Sequence, residues 1–183
     1  GMTLVRIGTC QAPEFPAPSI VDYRPKSTLK TEEHINQKAK FPVIDLHGHP
    51  GQLVTSAEGI KTLVADMDKL NLRVMISADT SMGPALTTRM NAIAASGANK
   101  DRVRVLTGIS FLNVGPGWAD REIARLEADV KAGAIGIGEV GKGFGLQTKK
   151  PDGSRLHVDD PELDKFWEAC ARLGMVAFIH TAE

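Results

Sequence analysis

Two histidines spaced one residue apart, His47 and His49, are the feature of this sequence that most clearly suggests chemistry. They follow the run Phe41–Ile44, which predicts a short buried strand opened by a proline. Because side chains alternate along a strand, both imidazoles project from one side, and Ile44 and Leu46 point the other way, toward a hydrophobic layer. Paired imidazoles at a strand end are ligands for zinc or a similar divalent ion, although a site needs three or four ligands. The pair therefore predicts part of a metal site, and two polar loop histidines are the alternative.

Two later residues, His180 and Glu139, also end apolar runs and extend this candidate site. His180 follows the run 176–179, and Glu139 follows the Gly-rich run 134–138. A carboxylate at such a point can ligate a metal, bridge two metals or shuttle a proton to bound water. The alternatives are a polar residue at a strand end for His180 and a loop glutamate paired with Lys142 for Glu139.

Three further polar residues are candidates for substrate contact: Lys142, Asp79 and His157. Asp79 follows the apolar run 75–78, and His157 lies in a polar loop after the run that Glu139 ends. A turn or capping role is the alternative for Asp79, and a place on the surface is the alternative for His157.

Residues 136–142 spell G-x-x-x-x-G-K, most of a phosphate-binding loop. The next residue is Gly143, where magnesium binding requires Ser or Thr. The polar sequence that follows also predicts no helix at that point. We therefore expect no nucleotide binding there.

The composition is ordinary for a soluble globular protein and excludes several classes of partner. Of the 183 residues, 42% are hydrophobic and 24% are charged, and 22 Lys and Arg balance 22 Asp and Glu. This balance predicts neither a nucleic-acid nor a membrane partner. Cys10 and Cys170 do not form a disulfide framework, and Cys170 falls at an apolar helical position, so we expect it in the core.

Targeting is weakly constrained by the sequence. No apolar run reaches the length of a transmembrane helix, and Gly1-Met2 resembles the remnant of a tag. We expect a cytoplasmic protein, or a periplasmic or secreted one if a signal peptide has been removed.

From Val43 onward the sequence alternates between strand-like and helix-like segments. The strand-like runs begin near Val43, Arg73, Val103, Ala134 and Val176. The first three intervals are about thirty residues, the length of a strand–helix unit in a parallel sheet. Apolar stripes at helical spacing lie between these runs, over residues 60–70, 86–93, 123–130 and 163–173.

This alternation predicts an α/β fold with at least five parallel strands, either an open doubly wound sheet or a (β/α)8 TIM barrel. The fingerprint glycines of a dinucleotide-binding sheet are missing after the first strand. The histidines fall at the C-terminal ends of strands, where a barrel carries its chemistry. We therefore predict a TIM barrel, with an extended arm over residues 1–42 and the N-terminal part of the barrel over residues 43–183.

In a closed barrel, strands one and five lie across the lumen from each other. We therefore expect His47, His49 and His180 to converge on one ion, with Glu139 close by and directed into the barrel mouth.

Three segments resemble the amidohydrolase superfamily, in particular its amidohydrolase-related branch. They are Phe41–His49, Gly133–Glu139 and a third that runs from Asp160 through Phe166–Cys170 to Ile179–Glu183. Together they span roughly residues 41–183 in the order of the family. The H-x-H strand with a strand-five histidine is the more specific part of this resemblance.

The resemblance implies that His47 and His49 are strand-one metal ligands and that His180 is the strand-five ligand. In many relatives strand four supplies a carboxylated lysine or a glutamate, and here Glu139 stands at that end, with Lys142 nearby. The strand-six histidine and the strand-eight aspartate of the family have no counterpart in this sequence.

The leading hypothesis is a metal-dependent hydrolase, with zinc as the expected ion, that attacks an amide, ester or lactone of a small molecule through metal-activated water. One alternative is a metal-dependent, non-oxidative decarboxylase of an aromatic or unsaturated carboxylic acid. Another is a non-catalytic, degenerate barrel that acts as a binding module. Assembly of the protein into a homo-oligomer is also an open alternative. Because five strands do not close an eight-stranded barrel, we expect this chain to need about three more strand–helix units for activity and the natural protein to be longer.

Overall fold

The structure, a computed structural model, describes residues 23–32, 34–141 and 143–180. The chain divides into two units, residues 1–35 and residues 36–183. The described residues of the first unit form no helix or strand and are exposed. The division falls a few residues before the predicted boundary at residue 42. Cys10 and Lys142 lie outside the described residues.

The second unit alternates strands and helices in the predicted order. The described residues of this unit form five strands, β1 (Val43–Gly48), β2 (Leu72–Ser77), β3 (Val103–Val105), β4 (Gly136–Val140) and β5 (Val176–Ile179). Its α-helices are α1 (Ala57–Leu70), α2 (Pro84–Ala95), α3 (Trp118–Ala132), the single turn α4 (Phe144–Gln147) and α5 (Pro161–Arg172). Short 3₁₀ segments occupy Gly51–Thr55 and Gly97–Asn99. The predicted α/β fold with parallel strands is confirmed at this level.

The strands lie side by side in the order of the chain. β1, β2 and β3 form one parallel sheet, and β4 and β5 form a second parallel pair. Thr107, just beyond β3, joins the two by a parallel bridge to Ile137. There the Thr107 N–H donates to Gly136 O at 2.8 Å, and the Gly138 N–H donates to Thr107 O at 2.8 Å. The C-terminal ends of all five strands therefore meet along one edge.

The helices pack on the strands through the apolar stripes that the sequence predicts. In α1 the buried side chains are Ile60, Leu63, Val64 and Met67, whereas Leu70, at the end of the stripe, is exposed. In α5, Leu163, Phe166 and Cys170 are buried, and burial raises the pKa of the Cys170 thiol to about 11. None of the helices in the described part of the chain is both long and apolar enough to span a membrane.

The starts of α1 and α5 are fixed by capping side chains. Ser56 Oγ accepts a hydrogen bond from the Gly59 N–H at 3.1 Å, and Asp160 Oδ1 accepts one from the Glu162 N–H at 3.0 Å. Each cap satisfies a backbone donor that the first helical turn leaves without a partner. Helix α1, which follows β1, and helix α5, which precedes β5, therefore begin at defined points.

The prediction that Ile44 and Leu46 of β1 point toward a hydrophobic layer is wrong for this chain. Ile44 and Leu46 are each 56% exposed. They line an open apolar groove with Val43, Leu70 and Leu72. The reason is that α1 packs along β2 and toward α2, and β1 lies at the edge of the sheet. Alternation gives the side to which a residue points, but not whether that side is covered.

The expectation that no helix begins after Gly143 is also wrong. Gly143 O accepts hydrogen bonds from the N–H groups of Leu146 and Gln147, at 3.2 and 2.7 Å, which closes the single turn α4. Helix α4 has only four residues, too few to show a periodicity from which a helix could be predicted. Gly143 still lacks the hydroxyl that a phosphate-binding loop needs at this position.

The glycines of β4 allow its neighbours to approach closely. A Cβ at Gly136 would lie 2.9 Å from Val176 O and 2.9 Å from Leu106 Cδ2, and a Cβ at Gly138 would lie 2.9 Å from Phe178 Cβ. Side chains at these positions would push β5 away from β4. The two glycines therefore set how near the end of β5 comes to Glu139.

Candidate metal centre

Three strands deliver one side chain each to the shared C-terminal edge of the sheet. His47 comes from β1, Glu139 from β4, and His180 follows β5. The His180 N–H donates to Val140 O at 3.0 Å, which holds the end of β5 against β4. The His47 N–H donates to Asp45 Oδ1 at 3.0 Å, which braces the end of β1. Each side chain therefore projects from backbone that hydrogen bonds hold in place.

Glu139 lies between the two histidines. Its Oε2 is 2.7 Å from His180 Nε2, and the same oxygen is hydrogen-bonded to His47 Nε2. The ring centroids of His47 and His180 are 5.7 Å apart. One ligand atom from each of the three residues lies within 4.8 Å of the other two. The structure thus brings together three of the predicted ligands.

His49, the fourth predicted ligand, lies at the rim of this group. Its ring centroid is 5.1 Å from that of His47, and its Nε2 is 3.6 Å from Glu139 Oε2. Half of its side chain is exposed, compared with 27% for His180 and 24% for Glu139. His49 therefore reaches the same carboxylate oxygen from the solvent side.

The electrostatics of the group keep Glu139 charged. The hydrogen bond with His180 is the main reason that the pKa of Glu139 lies below its ordinary value. Partial burial acts in the opposite direction, and the contact with His47 acts in the same direction as His180. A carboxylate oxygen with negative charge is consequently directed between two imidazole nitrogens.

These donors fit a divalent ion of the zinc type. Imidazole nitrogen and carboxylate oxygen are both common zinc ligands, and three protein ligands leave a coordination position for water or substrate. His47, Glu139 and His180 could hold such an ion with small movements of their side chains. The same contacts also satisfy one another as a His–Glu–His cluster without an ion.

Asp79, which the sequence marked for substrate contact, instead faces groups of the protein. Its Oδ2 accepts hydrogen bonds from the Gly51 N–H and the Ser77 hydroxyl, both at 2.9 Å, and from Arg89 Nη1 at 3.3 Å. Its Oδ1 lies 3.4 Å from His49 Nδ1. This arrangement favours a role in orienting the His49 ring.

Arg89 is a residue that the sequence reasoning missed. It is buried at 8% exposure and also donates to Gly51 O at 2.8 Å, so it ties Asp79 to the loop after β1. The available signal in the sequence was that Arg89, a charged residue, falls at helical spacing between the apolar residues Leu86 and Ile93. A buried cation on an apolar face needs an acidic partner, and Asp79 is that partner.

Of the two remaining candidates, His157 does not join this group. His157 is exposed, and its backbone carbonyl accepts the N–H of Asp160 at 3.1 Å. It is absent from the linings of the two cavities to which Glu139 contributes. Lys142 lies outside the described residues, so the alternative in which Lys142 pairs with Glu139 stays a prediction.

A second ionic cluster, also missed by the sequence reasoning, anchors the loops around the site. The Asp129 carboxylate on α3 accepts hydrogen bonds from the Gly83 N–H at 3.1 Å, the Thr107 hydroxyl at 2.5 Å and the Arg125 guanidinium. Asp129 and its neighbour Glu122 are 3% and 7% exposed. The loops after β2 and β3 are therefore both held to α3.

No family model, curated protein or solved structure matches this chain. The resemblance to the amidohydrolase superfamily therefore stays a prediction from the sequence motifs.

The ligand assignment predicts a selective loss of zinc. His47→Ala and His180→Ala each remove one nitrogen donor to the ion. Changing a residue that only contacts a ligand lowers metal affinity about 10- to 100-fold, so loss of a ligand itself should lower zinc affinity by more than about 100-fold. Isothermal titration and metal analysis measure affinity and stoichiometry. His157→Ala is the matched control, because it removes an exposed histidine and should leave one zinc bound. Equal losses in all three variants, or zinc retained by both site variants, would contradict the assignment.

The contact of Asp79 with His49 predicts a second, smaller effect. Asp79→Asn keeps the shape of the side chain but removes the charge that faces His49 Nδ1. We expect zinc affinity to fall about 10- to 100-fold with unchanged stoichiometry. The ring ¹⁵N signals of His49 should show an altered tautomer balance.

The control for this change is Ser77→Ala, which removes one donor to Asp79 and leaves its carboxylate in place. Its zinc affinity should stay near that of the unmodified chain. A folded Asp79→Asn protein with unchanged zinc affinity and unchanged His49 signals would show that Asp79 has no influence on the site.

Proposed function

We propose that this chain is part of a metal-dependent hydrolase, in which His47, His49, His180 and Glu139 hold a divalent ion, with zinc the expected one. The substrate class is an amide, ester or lactone of a small molecule. The observation that carries the proposal is the convergence of His47, Glu139 and His180 within 4.8 Å at the C-terminal edge of parallel strands. In α/β folds this edge is where catalytic side chains gather.

A (β/α)8 barrel is the fold that we propose around this site. The five strands follow one another in chain order, whereas a doubly wound sheet reverses its order at a switch point. In a flat sheet, strands one and five would be about 19 Å apart, four spacings of about 4.8 Å. The rings of His47 and His180 are nevertheless 5.7 Å apart. This proximity supports a sheet that curves as a barrel does.

The exposed apolar side chains at both edges support the same proposal. Val176 on β5 is 62% exposed, and Ile44 and Leu46 on β1 are 56% exposed. In a closed barrel, neighbouring strands and helices cover such residues.

When bound, a zinc-type ion polarises a carbonyl and lowers the pKa of water toward neutrality. The protein side chains have separate tasks. His47 and His180 present their Nε2 atoms toward one point, and Asp79 keeps the Nδ1 side of His49 occupied. The rings of His47 and Phe178 meet edge to face at 5.9 Å, so Phe178 packs against one side of the site.

Glu139 is the residue that we assign to ligation and proton transfer. In the described part of the chain, all of its histidine contacts fall on Oε2. Oε1 is therefore the oxygen available to take a proton from attacking water and to pass it to the leaving group.

The test of this function is Glu139→Gln, which keeps the size of the side chain but removes its charge and its capacity for proton transfer. In the whole zinc-loaded protein, of which we propose this chain is a part, assayed with p-nitrophenyl esters, lactones and anilides, we expect kcat to fall by at least about 100-fold. Zinc content is measured in the same samples, because its loss assigns Glu139 to ligation as well. Glu168→Gln, on the exposed side of α5, is the control and should keep full turnover.

Two outcomes would contradict the hydrolase proposal. Unchanged turnover in Glu139→Gln would remove Glu139 from the chemistry. Zinc-loaded protein that hydrolyses none of these compounds, but releases CO₂ from an aromatic acid, would replace the hydrolase with a decarboxylase.

A further inference from the structure

A second cavity adjoins the candidate metal centre and shares Glu139 with it. It measures about 250 Å³ and lies between the loop after β3 and the loop after β4. The described residues that line it are Ile109, Phe111, Glu139, Val140, Gly141, Gly143, Phe144 and Thr148. A smaller cavity of about 120 Å³ is lined by Glu139 together with His47 and His180. Glu139 therefore lines both a cavity that contains histidines and a largely apolar one.

Two aromatic side chains, Phe111 and Phe144, contribute to the apolar lining of this second cavity, which we call the ring cavity. Phe111 and Phe144 have their ring centroids 4.3 Å apart at an interplanar angle of 40°. Phe111 also stacks on Trp118 at 6.3 Å and 15°. Aromatic rings pair at about 4.5–7 Å with offset or tilted geometry, so a further planar ring finds suitable partners here. The volume also exceeds the roughly 150 Å³ that holds benzene in a protein interior.

The wall that carries Phe111 is fixed by polar contacts, so the cavity is built before a ligand arrives. Arg125 Nη2 donates to Gly108 O at 2.8 Å, and the Ser110 N–H donates to Glu122 Oε1 at 2.9 Å. The Trp118 Nε1–H donates to Ser110 O at 2.8 Å. These bonds hold residues 108–111 on both sides of Ile109, so little ordering cost remains for binding.

We infer that the ring cavity binds an aromatic ring of the substrate. Phe111 and Glu139 both line this cavity, and Glu139 also contacts His47 and His180, so a ring bound there lies next to the candidate metal centre. The substrate class then narrows to aryl or benzyl amides and esters, in preference to compounds with only short alkyl groups. The identity of the reacting bond rests on the proposed function, whereas binding of the ring does not.

The first experiment measures ring binding without a metal. Saturation-transfer NMR on the metal-free chain compares benzamide with acetamide as probes. We expect transfer to the ring protons of benzamide, its loss in Phe111→Ala, and none to acetamide. Leu112→Ala is the matched control, because Leu112 is the next residue and is 73% exposed. Phe111→Leu keeps the apolar volume without a ring, and it supplies the same comparison if Phe111→Ala does not fold.

The second experiment measures how the ring adds to binding at the metal centre. In zinc-loaded protein, benzohydroxamic acid should bind about tenfold more tightly than acetohydroxamic acid, the gain expected for one stacked ring. Phe111→Leu should bring this ratio close to one and leave acetohydroxamic acid unchanged, and Leu112→Ala should keep the ratio.

The first experiment tests ring binding alone, whereas the second also depends on the proposed metal site. No zinc binding would refute the proposed function, and the benzamide measurement would still decide the ring cavity. Benzamide without saturation transfer, or transfer unaffected in Phe111→Leu, would overturn the ring cavity whatever the metal result.

Discussion

The contact of one carboxylate oxygen, Glu139 Oε2, with histidines from both ends of the strand order is the interaction on which this structure depends. It requires β1 and β5 to approach across three intervening strands, and hence a strongly curved sheet. The bridge between Thr107 and Ile137 keeps the five strands continuous, and Gly136 and Gly138 let β5 lie close to β4. The site therefore depends on the curvature of the sheet, which brings the ends of β1 and β5 together.

The sequence predicts the parts of this arrangement that depend on local pattern. Alternation along a strand places His47 and His49 on one side, and the spacing of the apolar runs gives five strand–helix units. Parallel strands share one C-terminal edge, so His180 and Glu139 are expected to join the pair, and the structure has them there. These inferences use only the period of each element and the direction of its strand.

The sequence does not predict features that depend on partners distant in the chain. Ile44 and Leu46 have the expected orientation but no cover, because cover depends on where α1 packs. Asp79 is at the expected strand end, but Arg89, ten positions later, decides what its carboxylate binds. Phe111 lies in the loop after β3 and Phe144 begins the single turn α4, and neither segment shows a periodicity, so only their three-dimensional placement reveals the ring cavity.

Anomalous diffraction at the zinc absorption edge, from crystals of the chain grown with zinc, tests the proposal that His47, Glu139 and His180 bind one ion. We expect a single strong peak about 2.0–2.1 Å from Nε2 of both His47 and His180, with a Glu139 oxygen at about 2.0–2.2 Å. Crystals in which the cluster keeps its Glu139–histidine hydrogen bonds while zinc occupies only exposed residues such as His157 would contradict it.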